Sequence, residues 1–400
     1  MWTTENAASR LVELEGIFKV RPNSLVCADL ASCYFTLGET EKALPFALKA
    51  WEKNKHPDIG THLALILKDL GRHNESVKVL EESYHLNPDN FYTRMGYGEG
   101  LLKAGLWKQA WPIYDNSRPT QQGAACDLRL PNTIKEWQGQ DLTKDETLLV
   151  INEGGAGDRI SYARWLPELT KRGINWKFYP YSELFEFFVR IFPKENLVAD
   201  GEDLAPDPTH WVTTFSLPAK LNVGPTDIPS PLPLSSSKEA AEKYKIPRPD
   251  SLPVIGLCYE AAEQNQGGRR FRSLSEGQAM RLVCMTGDKI HWVNLQHGAS
   301  MPHPVSNIDF RTWDDTAGLI ENLDAVVTVD TSIMHLAGAM NKPTAVLLPA
   351  NSCWKFLRTG KKLPLYPSAI FYRNPTRGFE DAITELVFDI RKGCWPPKSL

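Results

Sequence analysis

The chain is 400 residues long, enough for two or three domains. At 42% hydrophobic and 23% charged, with a formal net charge of −3, it has the composition of an ordinary globular protein and lacks the basic excess of one that coats nucleic acid by charge alone. Its seven cysteines (Cys27, Cys33, Cys126, Cys258, Cys284, Cys353 and Cys394) are odd in number and never spaced C-x-x-C, which argues against a disulfide framework or a structural zinc site and reads as reduced thiols in a cytoplasmic protein.

Residues 1–15 carry no apolar signal core, and no stretch approaches 18 apolar residues, so neither a leader nor a membrane span is expected. A leading helix is expected over residues 4–20. After it, Gly38, Gly71 and Gly105 recur at intervals of 33 and 34 residues, each behind an apolar helical run. A small residue follows five positions later in every unit: Ala43, Ser76 and Ala110. Pro57 and Pro88 close the first two units. A glycine at a helix–helix turn can take positive φ, and a small residue opposite lets two helices pack closely. The period and layout resemble tetratricopeptide repeats, about three of them over residues 1–118. His56, His62, His73 and His85 fall in these repeats without ligand spacing and read as surface or packing residues.

Near residue 119 the pattern changes, with Pro119, Gly123 and Pro131 interrupting it. Strands are expected at 147–151 and 175–179, with helices after each, ending near residues 172 and 192. Residues 225–253 hold seven prolines and read as a linker with one short helix near 238–244. A second β/α series follows, with strands at 254–258, 291–295, 325–329 and 344–348. Its helices are expected at 274–285, 316–323, 332–340 and 378–391. The two series, 119–224 and 254–400, imply two Rossmann-like domains facing a cleft, with ligands beyond the carboxyl ends of their strands.

Four strand ends carry candidate chemistry. The first is Glu153-Gly154-Gly155-Ala156-Gly157-Asp158, where glycines let the backbone approach a ligand at a helix start. Gly155 and Gly157 fit the dinucleotide fingerprint, but Ile160 occupies its third glycine position, and no Gly-Lys-Ser/Thr of a P-loop follows. Asp158 is therefore either a general base facing the cleft or a helix cap. The second, Asp330-Thr331-Ser332 with His335 one turn on, offers free backbone N–H groups and two hydroxyls, suited to a diphosphate or simply to capping. The third is Gly267-Gly268-Arg269-Arg270-Phe271-Arg272-Ser273, a phosphate-neutralising loop or a solvated basic one. In the fourth, Gln296 follows a strand and could read a nucleobase edge. The run Trp313-Asp314-Asp315-Thr316 reads as a structural cap. Serine-hydrolase, zincin, kinase and EF-hand motifs are absent.

Taken in order, these segments resemble the repeat-linked glycosyltransferases related to the ADP-heptose heptosyltransferases, over residues 137–391. Glu153 to Asp158 with Ala163-Arg164-Trp165-Leu166-Pro167 is similar to that family's E-Q-G-L-G-D and A-R-Y-L-P. Ile255-Gly256-Leu257 and Arg272-Ser273-Leu274 are similar to its I-G-L and R-S-L. Leu295-Gln296, Trp313 to Ala317, Leu323-Asp324, Val329 to Thr331, His335 to Gly338, Pro343, Leu347 to Pro349 and Tyr366-Pro367 complete the series.

The resemblance implies a GT-B architecture behind the repeats, with the acceptor mostly on the first domain and the donor on the second. It implies an inverting, metal-independent sugar transfer with a nucleotide sugar as co-substrate and no other cofactor. Asp158 would be the base. Arg270 or Arg272, Ser273, Thr331 and Ser332 would stabilise the leaving phosphates, and Asp330 and His335 would bind the nucleotide sugar or hold the helix start. The final helix would cross back to the first domain. Gly154 stands where the family has Gln, and Ser352-Cys353-Trp354-Lys355-Phe356 replaces its D-W-R-W. The acceptor stays open between a protein, a glycan and a hydroxylated base in DNA. The repeats suggest a peptide groove. A non-catalytic scaffold is the reading from a different class.

Overall fold

The computed structural model describes residues 4–115, 133–199, 201, 207–248, 252–261, 272–363, 365–376 and 378–396. The chain forms two compact units.

The first unit comprises residues 1–118 together with 349–358 and 374–378. Its α-helices among the described residues are α1 (Thr4–Val20), α2 (Ser24–Thr36), α3 (Thr40–Lys53), α4 (Pro57–Asp69), α5 (His73–Leu86), α6 (Phe91–Lys103) and α7 (Trp107–Tyr114). The three turn glycines end α2, α4 and α6 at φ of 85°, 73° and 81°, the left-handed conformation their spacing implied. Capping repeats with the same period. Asn23, His56 and Asn90 each accept a bond from a backbone N–H in the first turn of the helix that follows. Pro57 occupies the first turn of α4, where no N–H partner is lost. Ala43, Ser76 and Ala110 are buried. The Ser76 hydroxyl donates to the Ala64 carbonyl across the hairpin at 2.8 Å.

The last repeat grips residues 349–358. Trp354 sits edge-on to Trp107, Trp111 and Tyr114, with ring centroids 5.4, 5.9 and 6.1 Å away. Lys103, only 4% exposed, spends its ammonium on the carbonyls of Ala350 (2.8 Å) and Ser352 (2.6 Å) and on the Ser352 hydroxyl (3.3 Å). The segment that departs from the D-W-R-W pattern is thus shaped to fit the repeats.

His73 lies beside this junction. Burial, and then the charges of Lys103, Arg358 and Lys68, push it down from the ordinary 6.5 to about 4. An unfolded chain takes up a proton below pH 6.5 that the folded one refuses until about 4. Stability present above pH 6.5 is therefore lost as pH falls through that window. We expect thermal midpoints of a His73→Gln variant to decline less steeply between pH 6.5 and 4 than those of the parent chain. Equal slopes would assign the acid sensitivity to other groups.

The second unit comprises residues 119–348, 359–373 and 379–400, and holds both sheets. The first sheet contains β1 (Lys135–Glu136), β2 (Thr147–Ile151), β3 (Asn175–Tyr179) and β4 (His210–Thr213), in the order β1-β4-β2-β3, all parallel. Helices α8 (Ala156–Tyr162), α9 (Leu166–Lys171), α10 (Ser182–Val189) and α11 (Leu217–Lys220) connect or follow these strands. The proline-rich stretch forms no strand in its described residues and holds the short α12 (Lys238–Lys243). It is tied down by Asp314, which accepts from the Ser237 N–H (2.9 Å) and hydroxyl (2.5 Å) and from Arg190, just after α10 (3.0 Å).

The second sheet contains β5 (Val254–Cys258), β6 (His291–Asn294), β7 (Ala325–Thr328), β8 (Thr344–Leu348) and β9 (Ala369–Arg373), ordered β6-β5-β7-β8-β9 and again parallel. Its helices are α13 (Glu276–Thr286), α14 (Trp313–Glu321), α15 (Ser332–Ala339) and α16 (Glu380–Arg391). Two helix starts differ from the sequence expectation because of capping boxes. Ser275 with Gln278 starts α13 at Glu276, and Thr312 with Asp315 starts α14 at Trp313. The final helix packs on α13, β8 and β9 rather than crossing to the first sheet. Its stripe of Ile383, Leu386, Val387 and Ile390 is buried in one core with Ile255, Leu257, Trp292, Val327 and Leu347.

Candidate active site

Parallel sheets bind ligands where the strand order reverses, outside the carboxyl ends of the strands. In the first sheet that point lies between β2 and β4, and in the second between β5 and β7. The glycine loop leaves β2, and the Asp330 segment leaves β7.

At the first point, the Glu153 N–H donates to the Thr214 hydroxyl beyond β4 (3.2 Å), which joins the two strand ends. Gly154 turns at φ 76°, and a side chain there would meet the Phe215 ring at 2.5 Å and the Asp158 carboxylate at 2.9 Å. The Asp158 carboxylate therefore folds back over the loop, next to the place a Gly154 Cβ would take. The cap position of α8 is Gly155, with no side-chain cap bond. Asp158 is partly exposed in the first helical turn.

Gly157 joins the two halves. A Cβ on it would lie 2.8 Å from His335 Cδ2 and 2.8 Å from Ser332 Cα, so the starts of α8 and α15 touch. Helix N-termini carry partial positive charge and unpaired N–H groups. Two of them meet here beside the Asp158 carboxylate.

In the second half, Thr331 caps α15, and its hydroxyl pairs with Thr328 (3.0 Å) and approaches the Cys258 thiol (3.9 Å). Burial pushes the Cys258 thiol up to about 11, so it stays protonated. Asp330 is buried at the strand end, and Ser332 is partly exposed in the first turn. His335 is buried, its Nδ1 paired with the Tyr366 hydroxyl at 2.9 Å.

The Gln296 carbonyl accepts from the Glu260 N–H at 3.0 Å, so it holds the loop after β5. Ser273 accepts from the Ala261 N–H at 3.0 Å and holds the same loop from the other side. Arg272 is partly exposed, and its Nε is buried without a partner among the described residues. Arg269 and Arg270 lie outside the described residues. Among the described residues, no group of three His, Cys, Asp or Glu side chains could hold a metal ion.

Three further residues belong here that side-chain chemistry alone did not single out. Tyr366 pairs with His335, and Arg164 lies over the Tyr366 ring; both stood in the family-like stretches, which was the available signal. Tyr181, after β3, has φ 61° and ψ 150°, a region nearly reserved for glycine, and costs about 1–3 kcal/mol. The Arg159 guanidinium lies over its ring at 4.3 Å and pairs with Glu183.

Known proteins give partial matches. Residues 312–358 match the family model described as Glycosyltransferase family 9 (heptosyltransferase), and residues 61–90 match a tetratricopeptide repeat. The family 9 segment contains Asp330, Thr331, Ser332 and His335. Protein FlbA of Caulobacter vibrioides is 24% identical over 302 residues, covering 67% of this chain and 49% of that protein. The chain thus spans about half the length of the curated relative it matches. Among solved structures, E. coli ADP-heptose LPS heptosyltransferase II aligns over 62% of this chain and 99% of its own, at 14% identity and a TM-score of 0.43. MamA aligns over 28% of this chain and 66% of its own, at 17% identity and a TM-score of 0.27. The chain therefore combines a helical array that includes a tetratricopeptide match with an α/β region in which residues 312–358 match the glycosyltransferase family 9 model. No helix among the described residues is long and apolar enough to cross a membrane.

Proposed function

We propose that the chain is an inverting, metal-independent glycosyltransferase that works in the cytoplasm, moving a sugar from a nucleotide-sugar donor to an acceptor hydroxyl. The observation that carries this reading is the contact at Gly157, which puts the Asp158 loop against the start of α15. In this mechanism Asp158 takes the proton of the acceptor hydroxyl. The freed oxygen attacks the anomeric carbon from the face opposite the nucleotide, and the nucleoside diphosphate leaves with the bonding electron pair. Its developing charge falls on the N–H groups and hydroxyls of Thr331 and Ser332, with Arg272 the arginine of the basic loop that lies among the described residues. Asp330 and His335 hold that helix start or the nucleotide sugar. Gln296 and Ser273 shape the loop after β5 instead of reading a base through the groups they have committed there.

The chain's formal net charge of −3 gives a polyanionic acceptor no general attraction. That favours a protein or glycan acceptor over a hydroxylated base in DNA. The repeats would present a peptide on surface that Trp354 and Lys103 leave open.

The test is a panel of UDP, GDP, ADP and CMP sugars, read by thermal shift and by release of nucleotide. A true donor at a hundredfold excess over its Kd adds about 2.7 kcal/mol of stability. Flat responses across the panel would sink the enzyme reading and leave the scaffold.

A further inference from the structure

We propose that the turn after β3 is a clamp that positions the glycine loop, with Tyr181 the positioning residue that holds the Asp158 carboxylate in place through Arg159. Between Asn152 and Arg159 the chain carries Gly154, Gly155 and Gly157, and glycines leave a backbone free to take many conformations. A carboxylate that must meet its substrate to within a fraction of an ångström needs ties from outside such a loop. The Thr214 hydroxyl holds the Glu153 N–H, and the turn after β3 adds a tie at each end. At the front, Asn152 follows β2 and is only 1% exposed. Its backbone N–H donates to the Tyr179 carbonyl and its Nδ2 to the Pro180 carbonyl, both at 3.2 Å. A carbonyl only accepts, so the amide nitrogen has to face Pro180. At the back, Arg159 stands next to Asp158 and reaches the same turn. Its guanidinium carbon lies 4.3 Å from the centre of the Tyr181 ring, and its Nη1 pairs with Glu183.

The two ties differ in kind. The Pro180 carbonyl that Asn152 holds belongs to the peptide plane leading into Tyr181, so the front tie keeps Tyr181 at its φ of 61° and ψ of 150°. Glycine would rest there without strain, but it would bring no ring. The ring leans on Tyr179, with centroids 4.9 Å apart, and lies under the Arg159 guanidinium. The Glu183 side chain is exposed, so water and salt weaken its pairing. The guanidinium against the ring therefore carries most of the back tie. Its Nε is buried with no hydrogen-bond partner among the described residues, so it is the ring, and not a further polar group, that holds this part of the side chain. A strained turn thus holds a flexible loop at both ends. The value of that hold for proton transfer by Asp158 rests on the proposed transferase reading; the clamp itself does not.

The test is amide hydrogen exchange on the full chain, read by mass spectrometry without substrate. The reporters are the α8 amides from Arg159 onward, which bond within the helix, Arg159 to the Gly155 carbonyl at 3.0 Å. Tyr181→Ala and Tyr181→Gly both remove the ring, and each should speed exchange there about tenfold while β8 and α16 stay as protected as in the parent chain. Tyr181→Gly should nonetheless melt above Tyr181→Ala, because only glycine relieves the backbone. Tyr181→Phe keeps the ring and should restore the protection. In a transfer assay, Tyr181→Gly should lower kcat about tenfold and leave the KM for the nucleotide sugar unchanged. Parent-like exchange of α8 in Tyr181→Ala would overturn the proposal. So would an equal loss of protection throughout the first sheet, which marks a structural role alone. A parent chain that transfers no sugar would sink the transferase reading and leave the exchange result standing.

Discussion

Asp158→Asn is expected to lower the rate of sugar transfer by about 10²–10⁴-fold, the usual contribution of a positioned base, while nucleotide affinity stays within about threefold of the parent chain. Asparagine has the shape of aspartate and sits in the same space over Gly154 and Phe215, so the loop need not move. It cannot take up the acceptor proton. The elements proposed to hold the phosphates lie on the second sheet and keep their own bonds, among them Thr331 to Thr328 and Ser273 to Ala261. Loss of a negative charge in the first turn of α8 costs about 0.3–1 kcal/mol of helix-end stabilisation, too little to unfold the unit. Product formation and isothermal titration of the nucleoside diphosphate on the same preparation separate the two effects. Transfer that persists within tenfold of the parent rate would remove Asp158 from the role of base.

The contrast between what the sequence shows and what it hides has physical reasons. Strands β2, β5 and β8 are buried at every position, so Thr147–Ile151, Val254–Cys258 and Thr344–Leu348 read as unbroken apolar runs. β4 opens on His210 and has four residues, β9 ends on Arg373, and β1 has two residues, so no such run marks them. The repeat turns were legible because a left-handed backbone selects glycine at Gly38, Gly71 and Gly105. In the site, the glycine loop and the α15 start were legible as chain punctuation after strands. The surroundings of His335 were not, because Tyr366 pairs with it from a distant stretch and Arg164 lies over that Tyr366 ring from about 200 residues back. Gln296 shows the converse: its place at a strand end suggested ligand contact, while the backbone of Glu260 claims its carbonyl. For the residues around Trp354, the departure from the related pattern was visible, but the aromatic cage of the last repeat that accounts for it was not.

Gly157→Ala is expected to cost about 10²-fold in transfer with only a modest drop in melting temperature. The added Cβ would stand 2.8 Å from two atoms that cannot easily yield. One is the Ser332 Cα, part of the α15 backbone. The other is His335 Cδ2, on a ring buried and held through Nδ1 by Tyr366. Relief requires the two helix starts to separate, and a displacement near 1 Å at a reacting centre costs on the order of 10²-fold in rate. For stability the terms oppose each other: overpacking costs about 1–3 kcal/mol, and alanine in place of a helical glycine returns up to about 1 kcal/mol. Gly277→Ala in α13 is the matched control, since a Cβ there meets only the Ser275 hydroxyl at 3.9 Å. It should melt slightly higher than the parent chain and keep full activity. A Gly157→Ala enzyme as active as that control would mean that the Asp158 loop and the α15 start act separately, and the single-site reading of this fold would fail with it.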